Sequence, residues 1–247
     1  MDQNLLYGIG LMALPLLLSL TLHEYGHARV AQAFGDYTAK MLGRCTLNPL
    51  AHLDLVGTLC FFFGPIGWAK PVPVDPSRLH PARIGDIAVS LAGVGMNLLL
   101  AIGCLIGLYI MAALGVKVND SPESDPTPAG VLAFMLSLGL LINLSLLLFN
   151  IIPLYPLDGH HVVRELLPWP HRASFMDWQG RVGRYVLLGL VALPWLLGFI
   201  GARGRFDPIG AYFDHVLQPI VSFTVTGKAA DLFLSAFGRY GMYLTWR

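Results

Sequence analysis

"LTLHEYGHARV" (20–30) closes an uncharged run, "LLYGIGLMALPLLLSLTL" (5–22), with two histidines and a glutamate. A bilayer span takes about 20 apolar residues, and this run supplies nearly that many. It fits a signal peptide poorly: the chain opens "MDQN" with no basic region, and no small-residue cleavage site follows the run. A retained first membrane helix over about Asn4 to Ala28 is expected. His23, Glu24 and His27 form H-E-x-x-H, and positions i and i+4 of a helix share one face. Both imidazoles then reach one zinc ion, Glu24 stands beside them as general base, and a coordination position stays open for water. With 8 histidines and 3 glutamates in the chain, chance produces the pattern in about one shuffled sequence in three hundred. Ionisable groups inside a span are costly and point to function. A packing role for three of them at this spacing is the weaker reading.

Composition places the chain in a lipid bilayer. Of its 247 residues 55% are hydrophobic and 13% charged, against about 25% charged in soluble domains. The mean hydropathy is +0.62. A net charge of +1 and the lack of any Lys/Arg cluster give no case for nucleic acid, so none is expected as a partner. Three scattered cysteines without a C-x-x-C pair give neither a disulfide framework nor a thiolate metal site.

Further apolar stretches at about 84–114, 130–149 and 185–200 are predicted to span, and 208–225 is either a fifth span or an amphipathic surface helix. The stretch 55–69 is too short to cross and is interrupted by Gly and Pro, which fits a re-entrant or interfacial segment. "KPVPVDPSRLHP" (70–81) has too many prolines for a long helix. Residues 36–49 have room for short strands around a turn at Gly43. The expected fold is an all-α polytopic membrane protein of about 4–6 membrane helices, with a re-entrant or short β segment after the first.

Basic residues concentrate in 29–83 and 160–184, whereas 115–129 is acidic. The positive-inside rule places the first two in the cytoplasm, although Arg203 and Arg205 run against it. Zinc needs a third protein ligand, and the acids near spans are Asp54, Asp86, Asp158, Glu165 and Asp214. The first and third spans would end at the same cytoplasmic face. Pro153 and Pro156 break the third helix and Gly159 permits a tight turn, so Asp158 lies on the correct side to reach His23. Its alternative role is a helix cap.

"HEYGH" (23–27) together with "NIIPLYPLDG" (150–159) resembles the site-2 protease family of intramembrane zinc metalloproteases, in its compact bacterial form. "LGRCTLNPLAHLDLVGTL" (42–59), "GPIGWAKPVPVDP" (64–76) and "SLAGVGMNLLLA" (90–101) resemble the segments that family carries between the two motifs. The resemblance implies one zinc ion per chain held by His23, His27 and Asp158. It implies Glu24 as the base that activates water and Asn150 as a holder of the substrate carbonyl or its oxyanion. Substrates would be membrane-spanning proteins cut in or near their transmembrane segments. The protein would sit in a bacterial inner (cell) membrane with its site toward the cytoplasm. Residues 36–49 would offer an edge strand to the unwound substrate. A single metalloprotease domain is expected over 1–247, with core motifs in 10–167 and C-terminal membrane segments in 185–247, a minimal member of the family. Departures are Val94 in place of a proline, and His160 and His161 where Gly and Arg are usual; His160 is the first alternative to Asp158 as a ligand. His52 fits the pattern without a role beyond structure. The competing reading is a metal-binding membrane protein without protease activity, a transporter or an inactive regulatory relative. A transporter would spread its ligands along a pore and has no need of Glu24.

Overall fold

The structure, a computed structural model, describes residues 3–63, 67–118, 127–200 and 207–240. Among these residues there are ten α-helices and no strand. They are α1 (Gln3–Ala33), α2 (Thr38–Met41), α3 (Leu55–Phe63), α4 (Ala82–Ala113), α5 (Pro128–Asn150), α6 (Asp158–Leu166), α7 (His171–Trp178), α8 (Arg184–Phe199), α9 (Pro208–Thr224) and α10 (Gly227–Tyr240). A π turn, Gln179–Gly183, makes α7 and α8 continuous.

Among the described residues, three helices are long and apolar enough to cross a membrane: Ala82–Ala113, Pro128–Asn150 and His171–Gly198. The first two fall where apolar composition places them. The third begins well before the expected 185, because the helix continues through the π turn into polar sequence. Within the tail 208–225, Pro208–Thr224 forms α9, which runs through Pro219 and has no buried residue, while Val225 just beyond it is buried. Asp120, Ser121, Glu123, Asp125, Arg203 and Arg205 lie outside the described residues, as does part of the stretch expected to re-enter the membrane.

The chain divides into two compact units, and α1, α4, α5 and α9 contribute to both. One comprises Met1–Ser19, Asn97–Ser145 and Val216–Arg247. Its core gathers Leu108 and Met111 of α4, Phe134 and Leu140 of α5, and Leu232 and Ala236 of α10. Leu217, Ile220 and Val221 of α9 lean against the same core. Pro15 leaves a gap in the hydrogen bonding of α1. The Ser19 hydroxyl donates to the Pro15 carbonyl at 2.7 Å, and the Asn143 amide donates to Ser19 Oγ at 2.8 Å.

The other unit, Leu20–Met96 and Leu146–His215, carries the chemistry. Here the expected edge strand at 36–49 is absent, and a helical turn replaces it. The Asp36 carboxylate accepts from the Thr38 amide at 2.9 Å and from the Thr38 hydroxyl at 2.5 Å. That local pairing favours a turn over a ladder. Gly35 and Gly43, at φ 99° and 70°, bracket the turn in backbone that other residues rarely adopt.

Extended chain appears instead at 67–75, where alternating prolines exclude helix. A single antiparallel bridge joins Ala69 to Leu53. The Lys70 amide donates to the His52 carbonyl at 2.8 Å, and Arg44 donates to the Lys70 carbonyl at 2.6 Å. Farther along, the Asp75 amide donates to Asp36 Oδ2 at 2.7 Å. His52 is the fastener of this loop: it is 1% exposed and its ring bonds the Thr46 carbonyl at 2.9 Å. Burial, with the Arg44 cation nearby, keeps its imidazole below the usual range and therefore neutral.

Candidate metal centre

The last turns of α1 place His23, Glu24 and His27 side by side in the interior, each less than 10% exposed. The two imidazole Nε2 atoms lie 3.1 Å apart. Asp158, the first residue of α6, brings Oδ2 to 3.5 Å from the His23 Nε2 and 3.4 Å from the His27 Nε2. Ligand atoms held tetrahedrally on zinc at about 2.0–2.1 Å stand about 3.3 Å from one another, so the observed triangle is the right size. Asp158 Oδ2 is buried and has no hydrogen-bond donor, a costly state that a cation at the centre of the triangle relieves. The His27 Nδ1–H donates to the Val89 carbonyl at 2.7 Å. That bond fixes the tautomer and turns the Nε2 lone pair toward the other two ligands. Burial pushes the Asp158 carboxyl up, but the His27 and His23 imidazoles outweigh it and hold it below the usual carboxylate range. Two imidazoles and a carboxylate with a neighbouring glutamate are a donor set suited to catalytic zinc.

The other acids are engaged elsewhere. Asp54 accepts from the Gly57 amide at 2.8 Å and caps α3. Asp86 is paired with Arg164, and Glu165 with Arg164 and Arg172. Asp214 lies in α9, away from the cavity wall. His160 does not join the triangle: its Nδ1 bonds the Leu157 carbonyl at 2.6 Å, and its ring meets Tyr155 edge-on. Burial pushes the His160 imidazole down to about 4, helped by His161 and Arg164, so it is a neutral packing group.

Two residues that sequence reasoning passed over shape this centre. A Cβ on Gly93 of α4 would stand 2.4 Å from the His27 Nε2 and 2.6 Å from the His23 Cε1. Glycine is there for close approach, and the imidazoles occupy the space a side chain would need. Its signal was present in "SLAGVG", but nothing local says which helix it faces. Gln179, 1% exposed in the π turn, spans the loop that delivers Asp158. Its amide donates to the Pro153 carbonyl at 2.6 Å and its oxygen accepts from the Tyr155 amide at 2.8 Å. No pattern in "FMDWQGRVG" announces that contact. Gly159 completes the loop, because a Cβ there would lie 2.2 Å from the Ile151 carbonyl oxygen. Val94, where a proline was expected, lets α4 run unbroken.

A cavity of about 580 Å³ opens onto the triangle and also reaches Glu24, Asn150 and His161. Glu24 Oε2 accepts from the Val72 amide at 2.9 Å. Pro71 and Pro73 on either side have no N–H to compete. Asn150, the last residue of α5, donates one amide N–H to the Leu146 carbonyl at 2.9 Å.

A family model described as Peptidase family M50 matches residues 113–192, which include Asn150, Asp158 and Gln179. "Putative zinc metalloprotease YwhC" of Bacillus subtilis (strain 168) is 36% identical over 227 residues, 90% of this chain and 100% of that protein. "Putative zinc metalloprotease Rip2" of Mycolicibacterium smegmatis is 35% identical over 163 residues, 64% of this chain and 58% of its own length. "Putative zinc metalloprotease sll0528" of Synechocystis sp. is 27% identical over 212 residues, 83% of this chain and 43% of that protein. No solved structure matches the chain.

Proposed function

We propose that this chain, which belongs to peptidase family M50, the site-2 protease family of zinc metalloproteases, hydrolyses peptide bonds in or near the transmembrane segments of other membrane proteins. The observation that carries this reading is the convergence of His23, His27 and Asp158 beside Glu24, in a chain whose long helices are apolar enough to span. Those three residues would hold the zinc. Bound there, zinc supplies Lewis acidity, polarising the scissile carbonyl and making water a stronger acid. Glu24 is the base. With Oε2 fixed by the Val72 amide, Oε1 takes the proton from the attacking water and passes it to the leaving amine. Asn150 has a second amide N–H to offer the substrate carbonyl. A regulatory relative without activity would have no use for Glu24 at this place.

A peptide bond in a membrane helix is tied up in i→i−4 hydrogen bonds, and opening it in lipid leaves polar groups unpaired. The extended residues Trp68, Ala69 and Val74 at the cavity wall are the backbone nearest to hand for replacement partners. Substrates would therefore unwind easily, with Gly, Pro or Asn near the cut. The whole chain acts as one metalloprotease domain. α1 is a fourth span, and the site faces the cytoplasm of a bacterial cell whose inner membrane holds the protein.

Purified protein with one zinc per chain should cleave a panel of membrane-spanning peptides and stop when the zinc is chelated. Cleavage that ignores the chelator would remove the metalloprotease mechanism. Orientation is tested separately. Single cysteines at Ser121 and Ser174, without the three native ones, should react with an impermeant reagent from opposite sides of the membrane; reaction from one side would overturn the topology.

A further inference from the structure

A second cluster of ionisable side chains borders the cavity, and the chemistry above makes no use of it. Asp86 on α4 is 4% exposed and pairs through Oδ2 with Arg164 of α6. Arg164 also reaches Glu165 at 2.9 Å, Glu165 pairs with Arg172, and Arg83 donates to the Glu165 carbonyl at 2.7 Å. Arg164 braces Asp86 in place through Oδ2. Its Oδ1 is turned to His161, whose Nδ1 lies 3.7 Å away. That Nδ1 is sealed from solvent and makes no hydrogen bond. The side chain as a whole is nevertheless 34% exposed, and His161 lines the cavity. One edge of the ring is shut against a carboxylate, so the open edge is the one that carries Nε2. The neutral His160 ring, 4.0 Å away between centroids, backs the imidazole from behind.

Peptide hydrolysis builds negative charge on the oxygen of the scissile carbonyl, and donors already aimed at that oxygen are usually the largest catalytic contribution. Asn150 has spent one of its two N–H groups on Leu146. We propose that His161, backed by Asp86, is a catalytic residue whose Nε2–H donates to that oxygen as it becomes an oxyanion. The ring has two nitrogens: Nδ1 is turned to Asp86, and Nε2 is the one left to face the substrate. The proton stays on His161 throughout, so the step moves no atom between enzyme and substrate. The gap between Nδ1 and Oδ1 closes as substrate seats, as catalytic hydrogen bonds often do. Asp86 is a positioning residue. This inference rests on the protease reading of the site.

The test uses the zinc-loaded protein, a membrane-spanning peptide substrate and a phosphinic peptide whose tetrahedral phosphorus imitates the attacked carbon. His161→Ala should lower kcat by about 10²–10³-fold, the loss typical for one oxyanion donor, with zinc still at one per chain. His161→Gln, which carries an amide N–H close to the Nε2 position, should recover part of that loss. Affinity for the phosphinic peptide should fall with kcat/KM in His161→Ala, because both report the charged oxygen. Asp86→Asn should lower kcat and leave KM nearly unchanged. The inference is overturned if kcat and phosphinic affinity in His161→Ala stay within about threefold of the parent. It is also overturned if zinc content falls along with activity in both His161 variants, which is the signature of a structural role. The parent protein separates the two readings: no zinc-dependent cleavage there overturns the protease reading, while phosphinic affinity still decides the role of His161.

Discussion

Glu24→Gln should lower cleavage by about 10²–10⁴-fold, the usual contribution of a positioned general base, with zinc still bound at one per chain. Glutamine keeps the shape and the carbonyl oxygen that the Val72 amide bonds at 2.9 Å in the parent protein. What it loses is the ability to accept a proton. His23, His27 and Asp158 are untouched, so the affinity for metal has no reason to fall. Peptide products measured by mass spectrometry, beside elemental analysis for zinc, check both halves. Cleavage at the parent rate would show that Glu24 is not the base. Loss of zinc would show that the carboxylate helps hold the metal. The companion change Asp158→Ala should do the opposite, lowering zinc occupancy and activity together, because it removes the carboxylate oxygen that lies 3.4–3.5 Å from both imidazole nitrogens.

Gly93→Ala is the second large effect, and it involves no ionisable group. The added methyl would begin 2.4 Å from the His27 Nε2. Either the imidazoles swing aside or α4 retreats from α1. Backing away would open the close packing at Gly26, where the helices approach so nearly that a Cβ would meet the Ala92 carbonyl oxygen at 3.0 Å. Forced overpacking costs about 1–3 kcal/mol. Displaced ligands lose metal affinity by at least the 10–100-fold typical of disturbed outer partners. Zinc affinity measured by chelator competition should fall by that factor or more, with cleavage falling alongside. Gly95→Ala is the matched control on the same helix, because nothing lies within 4 Å of its would-be Cβ. It should keep its zinc and stabilise the helix by about 0.5–1 kcal/mol. Equal zinc affinity in the two variants would contradict the close packing of α4 on the imidazoles.

The sequence by itself determined whatever depends on spacing within one element. His23, Glu24 and His27 share a face because the helical period puts them there, and apolar runs alone located α4 and α5. The π turn shows the limit of that approach: nothing in the composition of 171–184 says that the helix begins so early. The same limit governs residues 36–49, where β-compatible residues form a turn because Asp36 bonds Thr38 and Asp75. Tertiary structure alone decided what meets across long separations. The fit of Gly93 against two imidazoles, the Val72 amide on Glu24, the Gln179 brace and the Asp86–His161 pair each join elements far apart in the chain. Such contacts follow from how helices pack, and no local rule carries that information. Asp158 stands between the two cases. Its prolines were legible beforehand, but its place 3.4 Å from His27 required the loop, Gly159 and Gln179 to fold together.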